Sequence, residues 1–118
     1  MQTALIVLAG LMGAAGVILA AASAHGAPGT GLDSAGTMLL LHAAAILGGV
    51  ALLAQGVGSR TVALVALFGF AAGGALFAGD VAARAFLGFR LFPMAAPTGG
   101  TIMIGSWLVL ALAALLGR

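Results

Sequence analysis

The chain contains no cysteine, lysine, glutamate, asparagine or tyrosine, and only 5% of its 118 residues are charged. Each gap removes a class of proteins. Without cysteine there are no disulfides, thiolate metal ligands or thiol chemistry. Without lysine, and with only four arginines, there is no basic patch to neutralise phosphates, so no nucleic-acid partner is expected. Ordinary soluble domains carry about 25% charged residues. Disorder needs high charge and low hydrophobicity. A chain that is 64% hydrophobic fits neither, which leaves an integral membrane protein.

A helix needs about 20 mostly apolar residues to cross a bilayer core. Four runs have that character: Thr3 to Ala24, Gly36 to Ala54, Thr61 to Ala83 and Ala95 to Leu116. The first and last are uncharged, the second holds one ionisable residue, His42, and the third holds Asp80. Backbone in lipid must satisfy its own hydrogen bonds, and these runs lack the alternation of barrel strands. The expected fold is all-α, a single transmembrane domain over 1–118 with four antiparallel up-down-up-down helices. The Gly/Pro-rich stretch Ala24 to Ser34 reads as a loop and Gln55 to Arg60 as a tight turn. Arg84 to Met94 reads as a further connection whose Phe86, Phe89 and Phe92 suit the membrane interface. Ala22-Ser23-Ala24 has the small residues of a signal cleavage site. However, no positive side chain precedes the apolar run, and that run exceeds the roughly 7–15 residues of a signal core, so an uncleaved first helix is expected.

Four spans put both termini on the side of Arg60 and Arg118, opposite Arg84 and Arg90. Arginine counting is therefore balanced, and the two aspartates tip the expectation toward cytoplasmic termini.

Small residues let helices approach closely in lipid. Gly10, Gly13 and Gly16 recur on the first helix, Gly48 lies on the second, Gly69 and Gly73 form a GxxxG pair on the third, and Gly105 lies on the fourth. They are expected to pack the bundle internally or to form a homo-oligomer face. Ala14-Ala15-Gly16 returns as Ala71-Ala72-Gly73, a faint repeat relating two hairpins.

Polar residues gather toward one membrane side: His25, Asp33, His42, Asp80, Arg84, Arg90 and the Pro97-Thr98-Gly99-Gly100 start of the fourth helix. Asp80 and Arg84, four apart, can pair on one helix face. Three readings follow. The polar groups satisfy one another and stabilise the bundle. Alternatively, the arginines and the fourth helix's first amides hold an anion such as a lipid phosphate. As a third reading, His42 and Asp80 relay protons. Ser23 and Ser106 lie on different helices at opposite sides, with no nucleophile–base–orienter set, so an enzyme is not expected. No metal or cofactor is expected either.

Ala22-Ser23-Ala24-His25-Gly26, Leu41-His42-Ala43, Leu76-Phe77-Ala78-Gly79 and Pro97-Thr98-Gly99-Gly100 followed by Trp107 resemble, in order, the motifs of the YgdD-like proteins. This is a domain-of-unknown-function family (domain 423) that includes transmembrane protein 256. The resemblance covers nearly the whole chain and implies a four-helix bacterial inner-membrane protein; it implies no activity. Leu41 stands where the family has Tyr, Asp80 where it has a small hydroxyl residue, and Ala96 where it has Thr. A hydroxyl network is thus not carried over, and Asp80 with Arg84 can stand in its place. The expected role is non-enzymatic: lipid binding, or an accessory subunit of a partner membrane protein. The alternative is a small transporter or ion channel using His42 and Asp80.

Overall fold

The structure, a computed structural model, describes residues 1–26 and 29–117. It consists of α1 (Gln2–His25), α2 (Leu32–Ala54), α3 (Arg60–Phe86) and α4 (Ala95–Leu116), with no strand among the described residues. All four helices are long and apolar enough to cross a membrane. The chain is a multi-pass, four-helix membrane bundle. Pro28 and Arg118, used above for the first loop and for orientation, lie outside the described residues.

Helix ends overrun the apolar runs. α2 begins at Leu32 rather than Gly36, and α3 continues to Phe86 rather than Ala83. The reason is electrostatic. Asp33 sits in the first turn of α2 and Arg84 in the last turn of α3, each where the helix dipole favours its charge. The first connection therefore shrinks to 26–31 and the last to 87–94. At the opposite end, α2 closes in a Schellman turn. Gly56 takes φ +74°, its N–H donates to the Leu53 carbonyl (3.0 Å), and that of Val57 donates to Leu52 (3.2 Å). Ser59 then caps α3 by accepting from the Val62 amide at 3.4 Å. Its own N–H donates to the Ala113 carbonyl (2.9 Å), fastening the turn to α4.

The helices associate as two hairpins. α1 packs chiefly on α2 and α3 chiefly on α4, while α2 against α3 joins the halves and α1 touches α3 lightly. α4 approaches neither α1 nor α2 closely through its backbone, and the molecule is flattened, 47 × 25 × 19 Å. Each hairpin crosses at glycine. A methyl group at Gly36 would lie 2.7 Å from the Gly16 carbonyl oxygen. One at Gly99 would lie 2.6 Å from the Phe77 nitrogen and 2.7 Å from the Gly73 oxygen. Gly69 receives the Ser106 side chain, and Gly49 receives Leu67 between the hairpins.

Of the expected packing glycines, Gly16, Gly69 and Gly73 thus lie at helix contacts. Gly10, Gly13, Gly48 and Gly105 do not: a Cβ at any of them would meet nothing within 4 Å. Small-residue spacing marks a helix face without saying which face meets a neighbour. The hairpins correspond through Gly16 and Gly73, and through their crossing partners Gly36 and Gly99.

Leu5, Ile46, Leu67 and Phe70 are fully buried at the centre, while Leu11, Val65, Ile104 and Leu108 point outward. Helices apolar all round suit a lipid surround. Gly36→Ala and Gly99→Ala should each lower the thermal midpoint in detergent, by about 1–3 kcal/mol of overpacking. Gly10→Ala and Gly48→Ala should leave it unchanged or raise it, since Ala is the better helix former by roughly 1 kcal/mol. Equal midpoints for all four, followed by circular dichroism, would refute the assigned crossings.

Candidate functional site

Asp80 is 1% exposed, so its carboxylate needs partners. Oδ1 accepts the Leu91 backbone N–H at 3.0 Å, a charge-assisted bond. Oδ2 faces the Nε of Arg84, one helical turn on, at 3.5 Å. Arg84 is 42% exposed, which makes this ion pair a modest contributor beside the Leu91 bond. Together they fold segment 87–94 back along α3, with the Leu91 side chain lying over Gly79. Arg90, next to Leu91, is thereby brought to a cavity of about 360 Å³ lined also by Asp80, Arg84, Phe77, Pro97 and Gly100. Two guanidiniums share this cavity with one carboxylate, leaving one positive charge uncompensated. Arg84 meets Asp80 through Nε, so its two terminal amino groups remain available for a second acceptor. Arg90 forms no ion pair among the described residues.

The first turn of α4 contributes less than its sequence promised. The Ala95 N–H donates to the Phe92 carbonyl (3.2 Å), the Thr98 N–H donates to Met94 (2.9 Å), and Pro97 has none. Only the Ala96 amide is uncommitted, so the anion-holding capacity of this end rests on the arginines.

His42, 5% exposed, lies deeper and does a different job. Nδ1 is 2.7 Å from the Met38 carbonyl, and Nε2 is 3.1 Å from the indole nitrogen of Trp107. A carbonyl can only accept and an indole N–H can only donate. The imidazole is therefore the neutral tautomer with its proton on Nδ1. Phe70 packs edge-on to its ring at 5.3 Å and lies 4.6 Å from Trp107. The cluster ties α2 to α3 and α4, and bridges α2 and α4 where their backbones stay apart. Both ring nitrogens are engaged, and neither bonds Asp80.

Between α2 and α4 runs a groove of about 550 Å³, lined by Met38, His42, Met103, Ile104 and Trp107 and sharing Phe77 and Gly100 with the charged cavity. Of the sequence-expected site, Asp80, Arg84, Arg90 and Gly100 come together, and His42 adjoins them through this groove. Gly99 belongs instead to the α3–α4 crossing. Thr98 is exposed, and His25 is an exposed last-turn residue of α1 that lines neither cavity. The Ser106 hydroxyl donates to the Ile102 carbonyl (2.7 Å). Among the described residues, no group of three or more His, Asp, Glu or Cys could hold a metal ion. Two partners escaped the sequence reading. The Leu91 amide carries no side-chain signal at all, whereas Trp107, the one tryptophan, was visible as a donor needing an acceptor.

Compared with protein-family models, curated proteins and solved structures, the chain matches none.

Asp80→Asn should keep an acceptor for the Leu91 amide, whereas Asp80→Leu should orphan it and cost about 1–3 kcal/mol. The readout is hydrogen–deuterium exchange at Leu91, expected faster in Asp80→Leu. Equal exchange in the two variants would remove Asp80 as the anchor of segment 87–94.

Proposed function

We propose that this protein is a small non-enzymatic membrane protein that binds the phosphate of an anionic phospholipid at Arg84 and Arg90. The observation that carries this reading is the single uncompensated positive charge in the cavity formed by Asp80, Arg84 and Arg90. Guanidinium groups present several donors in a fixed plane, a geometry matched to phosphate oxygens. A phosphodiester with one negative charge balances the site. A zwitterionic headgroup would bring an ammonium that finds no free carboxylate there, because Asp80 is already engaged.

The reading places the chain in the YgdD-like family, on the resemblance of its ordered motifs, and in the bacterial inner membrane with cytoplasmic termini. The arginine cavity then faces the outer leaflet. A C-terminal reporter active only in the cytoplasm tests that orientation and should be active.

Native mass spectrometry of the protein in mild detergent tests the lipid. Phosphatidylglycerol adducts should persist where phosphatidylcholine adducts do not. Arg84→Ala and Arg90→Ala should each weaken retention by about tenfold, the loss of one charge-assisted contact. Equal retention of the two lipids, or variants that bind like the parent, would sink the proposal.

A further inference from the structure

We infer that the α2–α4 groove holds one hydrocarbon chain of that lipid, from Gly100 at its mouth to Trp107 at its depth. This rests on the headgroup reading above and specifies how much of the ligand the protein recognises. The polarity of the surface runs in the order of an amphiphile. The guanidiniums of Arg84 and Arg90 come first, then the shared boundary at Phe77 and Gly100, then the apolar walls of Met38, Met103 and Ile104. The Gly100 side of the boundary is open. Gly100 has no side chain, and a Cβ built on it would meet nothing within 4 Å.

The groove follows two turns of α4 from Gly100 to Trp107, about 10 Å at the usual helical rise. Its methionine walls are flexible and adapt to an irregular chain. At the deep end, the Trp107–His42 hydrogen bond spans from α4 to α2 and sets the separation of the walls. A second groove, of about 450 Å³ between α1 and α3, gives the contrast. Leu11, Met12, Ile18, Ala75 and their neighbours line it, and unlike the α2–α4 groove it shares no residue with the charged cavity, so nothing there would hold a headgroup. Charge complementarity at one end selects the α2–α4 groove, and it selects a lipid as the occupant.

Trp107 is the one tryptophan in the chain and lines this groove, so the indole emission has a single source. The experiment titrates full-length protein in mild detergent with phosphatidylglycerol or phosphatidylcholine carrying brominated acyl chains, which quench indole on contact. Half-maximal quenching should need about tenfold less brominated phosphatidylglycerol than phosphatidylcholine, the preference expected of one charge-assisted contact. Gly100→Leu places a side chain across the mouth in open space and improves helix propensity. It should bring phosphatidylglycerol quenching down to the phosphatidylcholine level while leaving the thermal midpoint unchanged. Inorganic phosphate should neither quench nor displace the lipid at equal concentration; displacement would mean that the chain adds nothing, and would overturn the inference. If the two lipids quench alike while Arg84→Ala still strips phosphatidylglycerol from the native mass spectrum, the headgroup reading stands and the chain lies elsewhere. If no lipid adduct forms in the parent protein, both fall. A dimer mass free of lipid would identify a second copy as the occupant of the groove and would overturn it equally.

Discussion

Helices already surrounded by hydrocarbon gain nothing by hiding from water, so how closely their backbones can approach decides how they pair. In this chain that closeness is set at two crossings, Gly16 with Gly36 and Gly73 with Gly99. The α4 wall of the charged cavity inherits its position from the second crossing. Gly99 seats α4 on α3 beside Phe77, and the neighbouring Gly100 and Pro97 then face the cavity that Asp80 and Arg84 line from α3. Move the crossing by a turn, and the two arginines and the groove no longer share a boundary.

Polar groups in the bundle are few, and each buried one is committed. Asp80 holds a backbone amide and faces an arginine, His42 accepts from Trp107 and meets a carbonyl, and Ser106 donates to a carbonyl of its own helix. No buried polar side-chain atom lacks a partner among the described residues. Such closure is what a medium without water demands. The uncommitted polarity sits at the rim, in the outer amino groups of Arg84 and in Arg90, and that contrast separates what holds the protein together from what faces outward.

The four spans were legible because run length alone decides them, and their ends were not, because charges prolong helices beyond the apolar run. Asp33 and Arg84 are cases of this: each looked like loop in a hydropathy reading and each belongs to a terminal turn. Packing was legible in kind and only partly in place. Gly48 and Gly49 are adjacent and alike in sequence, yet one faces outward and the other receives Leu67. The Asp80–Arg84 pair could be read from its spacing of four, since both members lie on one helix. The Leu91 amide and the His42–Trp107 bond join residues far apart in sequence, and only the assembled fold brings them within reach.

The division into two hairpins bears on how such a protein is made. Each hairpin carries its own backbone crossing, so α1 and α2 can lock together while the ribosome is still delivering α3. What joins the halves is of another kind: Leu67 in the notch at Gly49, and the Phe70–His42–Trp107 cluster. Leu67 and Phe70 can reach α2 once α3 has left the insertion machinery, but Trp107 joins them only when α4 has followed. The groove between α2 and α4 is therefore the last feature to be completed, and lipid from the surrounding bilayer is already in contact with its walls when they close.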